Sequence, residues 1–198
     1  MGLEQILAFA AFAFVAAVTP GPSNVMLTAT GAAVGLARGM PALFGVGAGM
    51  ASMMFLAALG LGTLVLREPA LVAVLKGAGA AFLLWLAWKI ASAPVGEGAP
   101  AARPVGFVGA ALFQWLNPKS WLVSVSAAGT YLGADAGGAL AQAAALAALF
   151  FALALPSGFV WLAFGLAVRR VLRSPRAQRA FNVSMGGLLA ASLLLLLR

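Results

Sequence analysis

The stretch Thr19-Pro20-Gly21-Pro22-Ser23-Asn24 interrupts an apolar run, Leu3 to Val18, that otherwise reads as a membrane helix. Proline has no backbone N–H and clashes with the preceding turn, so a helix cannot pass smoothly through this stretch. In water such a break is an ordinary turn. In a bilayer it frees carbonyls and amides, which is tolerated only inside protein or beside a water-filled cavity. The fold therefore turns on whether the chain lies in a bilayer.

Of the 198 residues, 64% are hydrophobic and 8% are charged, against about 25% charged in an ordinary soluble domain. Twelve basic and four acidic side chains cannot coat a water-soluble surface of this size. The apolar blocks approach the ~20 residues that cross ~30 Å of hydrocarbon. A β-barrel would need segments of about 10 residues that alternate apolar and polar, whereas these runs are continuous and rich in Ala, Leu and Gly. The composition implies an all-α integral membrane protein. A net charge of +8 would suggest nucleic acid in a soluble protein. Here the basic residues fall between apolar blocks, so topology accounts for them and no nucleic-acid partner is expected. The chain has no Cys and no His. That excludes disulfides, thiol redox chemistry, zinc fingers and His-ligated haem, and no cofactor or metal is expected. Glu4 stands where a signal peptide would be basic, so the first segment is read as part of the mature protein.

Six membrane segments are predicted. The first is Leu3 to Val18, ending at the break, with a mildly apolar stretch, Val25 to Arg38, after it. The second runs from about Met40 to Leu66 and is rich in glycine, which allows close helix packing in lipid. Arg67-Glu68-Pro69 is a turn. The third, Ala70 to about Ser92, ends in Trp85, Trp88 and Lys89, residues suited to an interface. The Pro- and Gly-rich stretch Ala93 to Pro104 is a linker. The fourth, Val105 to about Tyr131, is interrupted by Gln114-Trp115-Leu116-Asn117-Pro118-Lys119-Ser120. The fifth, Ala139 to about Val168, contains Pro156-Ser157-Gly158, a predicted kink. The sixth is Phe181 to Leu197.

Five arginines, Arg169, Arg170, Arg173, Arg176 and Arg179, crowd the loop before the last segment and place it in the cytoplasm. By alternation the Lys89/Arg103 linker and Arg38 are also cytoplasmic. The Asp135 loop, the Arg67/Glu68 turn and both termini are then external. A re-entrant first segment would instead put the N-terminus inside. The linker 93–104 divides the chain into two three-segment halves, 1–92 and 105–198. An odd number of crossings per half makes the halves inverted repeats. Each opens with a segment broken by proline. Pro20 and Pro118 lie about 15 residues into their segments, which at ~1.5 Å per residue puts both breaks ~21–23 Å deep from opposite faces. They should therefore face each other. Glycine recurs eleven residues after each proline, at Gly31 and Gly129. Broken segments at matching positions of two halves point to the substrate site of a transporter.

Several motifs carry a resemblance. The run Thr19 to Asn24, the run Leu75-Lys76-Gly77-Ala78-Gly79-Ala80-Ala81-Phe82-Leu83-Leu84-Trp85-Leu86, the tetrad Asn117-Pro118-Lys119-Ser120 and the Phe181-Asn182 … Gly186-Gly187 stretch resemble the lysine/homoserine exporter (LysE/RhtB) family of bacterial amino-acid efflux proteins. The likeness spans nearly the whole chain. In that family Asn or Asp usually follows Pro-Gly-Pro directly, whereas here Ser23 intervenes before Asn24. The resemblance implies a secondary-active amino-acid exporter in the bacterial cytoplasmic membrane, with a proton as the expected coupling ion.

An amino acid presents a carboxylate and an ammonium, and broken helices offer partners for both. Free N–H groups at a half-helix N-terminus attract the first, and free carbonyls at a C-terminus attract the second. The candidate substrate-binding residues are Thr19, Pro20, Gly21, Pro22, Ser23, Asn24, Gln114, Asn117, Pro118 and Lys119. Asn117 either binds substrate or caps the helix after it. Lys119, at membrane depth, needs a partner. That partner is a substrate carboxylate or free carbonyls nearby, unless the side chain snorkels to an interface. Glu4, Glu68, Glu97 and Asp135 all fall in loops or at ends. A cationic substrate would lack a counter-ion, which favours neutral amino acids or related metabolites. Proton coupling through a buried carboxylate would likewise lack a carrier. An intramembrane protease needs Ser/His or paired aspartates, so an enzyme is not expected. A scaffold would use the packing glycines equally well but leaves two apposed polar breaks unexplained. Small-residue faces would allow a homodimer.

Overall fold

The computed structural model of the chain describes residues 2–96, 105–132, 138–172 and 174–195. Eight α-helices follow in order: α1 Leu3–Val18, α2 Pro22–Ala58, α3 Leu61–Arg67, α4 Pro69–Ala91, α5 Phe107–Leu116, α6 Pro118–Tyr131, α7 Ala139–Val171 and α8 Pro175–Ala191, then a 3-10 turn, Ser192–Leu195. Prolines open α2, α4, α6 and α8. At that position the missing N–H is one that the helix leaves unpaired anyway. The expected linker beyond Gly96, and the Asp135 loop, lie outside the described residues.

The chain is inside out relative to a soluble protein. Outward faces carry large apolar groups, with Trp88 68% and Leu122 69% exposed, whereas Gln114 and Ser124 are fully buried. Three helices, α2, α4 and α7, are long and apolar enough to cross a membrane, and α1 and α5 are shorter apolar helices. This is the arrangement of an integral membrane protein, with lipid as the outer solvent.

The hydrogen-bonded run of α2 hides a reversal. Gly35 sits at φ 78°, ψ −176°, where two helices meet. Leu27 and Leu43, eight residues to either side, both reach Gly158 of α7. Gly31 and Gly39, four residues to either side, both lie against Leu162. In one straight helix Leu27 and Leu43 would be about 24 Å apart. The chain therefore folds back on itself at Gly35, and α7 packs along both arms. The positive φ explains why glycine stands at the reversal. Arg169 of α7 donates Nη1 to the carbonyl of Ala33 at 3.2 Å, taking up an acceptor that the ending arm leaves free.

The arms have opposite senses. Along α1 and residues 22–34 the chain runs parallel to α7, and along 36–58 antiparallel. Residues 36–58 run parallel to α5, with Gly45 against Phe107 and Ala110, and Gly49 against Ala111 and Gln114. The α4 helix runs antiparallel to α5: Gly79 meets the carbonyl of Leu116, and Phe82 stacks against Phe113 at 5.5 Å. Gly186 of α8 lies on Ala87 and Ala91 of α4. One apolar core joins Met26, Leu43, Leu83, Phe113 and Leu162, and a second joins Phe9, Ala13, Met54 and Leu146. Apart from Lys76 within α4 and Lys119 at the second break, the described charged groups separate to two ends. Arg38, Lys89, Arg169, Arg170, Arg176 and Arg179 share one end, whereas Glu4, Arg67 and Glu68 stand at the other.

Two expectations need correction. The second segment does not run from Met40 to Leu66. Its helix ends at Ala58, and Gly60, at φ 104°, starts the separate α3. Pro156, where a kink is expected, lies inside α7, which continues from Ala139 to Val171. Pro156 costs one ladder bond there and faces outward, so its ring meets no partner helix. The paired glycines are not equivalent either. A side chain at Gly31 would strike the backbone of Leu162, whereas nothing stands near Gly129.

Candidate functional site

The two proline breaks meet. The α1 helix stops at Thr19, whose hydroxyl donates back to the Val15 carbonyl at 2.6 Å. Gly21 then precedes α2 in fully extended backbone, with no side-chain cap on the helix. The second break is tighter. Asn117 alone separates α5 from α6. Its Oδ1 accepts from the Lys119 backbone N–H at 3.1 Å, capping α6.

Ser23 joins the breaks. Asn117 Nδ2 donates to Ser23 Oγ at 3.1 Å, and that hydroxyl donates to Gln114 Oε1 at 2.9 Å. Ser120 Oγ donates to the same Gln114 oxygen at 2.9 Å. Gln114 Nε2 in turn donates to the Ala110 carbonyl at 3.3 Å, within its own helix. Asn24 Nδ2 ties the first break together by donating to Ala17 O at 3.1 Å and Thr19 O at 3.0 Å. Lys119 completes the junction. Its side chain crosses Gly21, and Nζ donates to Thr19 O at 2.6 Å. Any side chain at position 21 would crowd the lysine stem, because a β-carbon there would stand only 3.0 Å from Lys119 Cδ.

A cavity of about 490 Å³, counted to its open mouth, lies between the breaks. Of the expected site residues, Gly21, Ser23, Asn24, Gln114, Asn117 and Lys119 line it. Thr19, Pro20, Pro22 and Pro118 are not on the wall. They shape the backbone that carries it, and Thr19 offers its carbonyl to Lys119 and Asn24. Asn117 caps α6, one of its two expected purposes, and its amide also joins the polar network. Ser120, part of the second interrupting stretch but not among the candidate binding residues, belongs to the wall. The apolar wall, including Met50 and Phe150, was missed. In a chain that is 64% hydrophobic, nothing marks such residues out.

The site brings one cationic side chain and backbone groups of both polarities close together. Lys119 is the cation on the wall. The open amides of the α2 N-terminus lie beside it and add positive potential. The Thr19 carbonyl at the end of α1 supplies negative potential close by.

Known proteins resemble this chain over most of its length. A family model described as "LysE type translocator" matches residues 14–197. Proteins named "Cysteine/O-acetylserine efflux protein" are similar to this chain in Escherichia coli (strain K12), Escherichia coli O139:H28 (strain E24377A / ETEC) and Salmonella choleraesuis (strain SC-B67). Each is 34% identical over 125 residues, which is 63% of this chain and 64% of the relative. The match thus spans less than two thirds of these relatives' own length. No solved structure matches the chain.

Proposed function

The chain belongs to the LysE type translocator family, and on that premise we propose that it is a secondary-active exporter of neutral amino acids or closely related small metabolites. It is a transporter and not an enzyme. The observation that carries the reading is the meeting of two helix breaks around one cavity, with Lys119 laid across the mouth of the first. Proteins named for cysteine and O-acetylserine efflux share 34% identity with it, and both of those solutes are zwitterions with uncharged side chains. The described acids, Glu4 and Glu68, are far from the cavity at one end of the helices, so a cationic side chain would find no counter-ion on the wall.

In this proposal the substrate carboxylate displaces Thr19 O from Lys119 Nζ and takes the amides at the α2 N-terminus. The ammonium takes the carbonyls that the lysine and Asn24 leave. The polar network of Ser23, Gln114 and Asn117 holds the two breaks at the separation that lets one zwitterion touch both. A proton remains the proposed coupling ion.

We further propose six crossings arranged as two inverted repeats, residues 1–92 and 105–198 joined by the linker 93–104. The crossings are 3–34, 36–58 with α3, 69–91, 107–131, 139–171 and 175–195. The senses of packing described above support the inversion. The first crossing in this assignment joins α1 to the first arm of α2, so both repeats open with a broken helix. The basic end, with the Arg169 to Arg179 loop, faces the cytoplasm of a bacterial cell, and the Glu68 end faces out.

Uptake of labelled neutral amino acids into inverted membrane vesicles tests this. Asn117→Ala and Lys119→Ala should each lower uptake at least about 10-fold while the protein still reaches the membrane, since a hydrogen bond to a charged group contributes about 1.5–3 kcal/mol. Normal uptake by both variants would sink the site.

A further inference from the structure

We infer that the cavity contains a separate compartment for the substrate side chain, built from Leu27, Val46, Met50, Phe150 and Ala154, and that it selects compact apolar side chains. The inference rests on the proposed exporter function and names the substrate class within it. Its basis is the division of the cavity wall. Every polar side chain on the wall belongs to the two breaks: Ser23 and Asn24 on one, Gln114, Asn117, Lys119 and Ser120 on the other. The opposite wall is contributed by the two antiparallel helices that pack behind the breaks. Val46 and Met50 are one turn apart on the second arm of α2, and Phe150 and Ala154 are one turn apart on α7. Both pairs therefore present consecutive turns of one helix face to the same space.

A zwitterion held by the polar groups of the breaks has only apolar wall left for its side chain, this face together with Ala16, Ala17 and Val123 of the break helices. A second charge would rest there without a partner, and burying an unpaired ion is far costlier than burying a methylene. Lys119 is the charged group on the wall and is already committed to the carboxylate. A dicarboxylic amino acid is excluded on the same ground as a diamino one.

Two residues set the size of the compartment. Ala154 is a small residue on the same cavity wall as Met50, so its volume limits how far a side chain can extend. Gly158, one turn further along α7, also lines the cavity, and it lets Leu27 and Leu43 close in. A β-carbon there would stand 2.5 Å from Leu43 Cδ1 and 3.1 Å from Leu27 Cδ1. Leu27 is thus held as part of the wall by contact with a bare backbone. Apolar pockets discriminate by about 10–200-fold per methylene gained or lost.

The test is competition in proteoliposomes. Transport of one labelled neutral amino acid is challenged with alanine, valine, leucine, methionine, phenylalanine, lysine and aspartate. The wild-type protein should be inhibited by the compact apolar members and not by lysine or aspartate. Met50→Ala should move the preference about 10-fold toward bulkier side chains, and Ala154→Val about 10-fold toward smaller ones. A general loss of folding cannot move two variants in opposite directions, so the pattern reports the compartment itself. An unchanged order of competitors in both variants overturns the inference, as does strongest inhibition by lysine or aspartate. In either case retained transport that Lys119→Ala still abolishes leaves the exporter reading standing. Failure of the wild-type protein to carry any amino acid overturns both.

Discussion

Gln114 is the residue on which the junction of the two breaks depends. It is fully buried, and one oxygen accepts from two serines on different helices. Removing it leaves two hydroxyls without an acceptor in a low-dielectric interior, which costs about 1–3 kcal/mol. Gln114→Leu, which keeps the bulk, should lower the melting temperature in detergent and weaken transport together. Unchanged values of both would mean that the serines find other partners. Ser23 illustrates a different point. It intervenes where the family pattern places Asn or Asp, and its hydroxyl is the group that links α2 to the second break. Asn24, displaced by one position, turns back to fasten the end of α1. The departure from the pattern was visible in the sequence, but its consequence is a matter of which way two short side chains point.

At the scale of elements, glycine separates packing from coincidence. Gly31 and Gly165 let the first arm of α2 and α7 touch backbone to backbone, Gly31 against Leu162 and Gly165 against Thr28. Contacts this close occur only where side chains are absent. Gly31→Val should destabilise the protein by about 1–3 kcal/mol or prevent its accumulation, read as melting temperature or yield in the membrane. Gly129→Val, at a position with open space around it, should be close to neutral. Equal effects of the two would contradict the packing described for α2 and α7. Gly35 belongs to a separate class, because its φ of 78° is one that side chains rarely adopt. The two arms of α2 owe their close approach to that one residue.

For the whole molecule the decisive property is the separation of charge. Arg38 beside the Gly35 reversal, Lys89 at the end of α4, and the arginines of α7 and α8 gather at one end. Lys89 lies 4.9 Å from the Trp85 ring, a cation–π pair at the level where aromatic and basic groups settle. The absence of cysteine makes the topology directly measurable, since a single introduced thiol is the only one present. Arg170→Cys should react with a membrane-impermeant maleimide only in inverted vesicles, and Glu68→Cys only in intact cells. Labelling of both from the same side would rule out the inverted arrangement of the halves.

Much of this protein was legible in the chain itself. Membrane residence follows from composition, because so few charges cannot face water. The two breaks follow from proline, whose missing N–H weakens a helix, taken together with the glycine, second proline or asparagine beside it. The candidate polar residues follow from the breaks, and six of the expected site residues do line the cavity. What the sequence could not place were the features that depend on contact at a distance. Glycine abounds, so which glycine reverses the chain and which merely packs was decided by the neighbours each one meets. Pro156 carries the same local signal as Pro20 and Pro118, yet α7 runs through it. A lone proline removes one hydrogen bond, whereas the first break adds a second proline and a glycine, and the second gains an asparagine that caps the new helix. The apolar wall of the cavity was unreadable for a simpler reason. In a bilayer an apolar side chain is equally at home against lipid, against a helix or on a cavity wall, and only the packing of α7 against the folded arms of α2 assigns Met50 and Phe150 to the last of these.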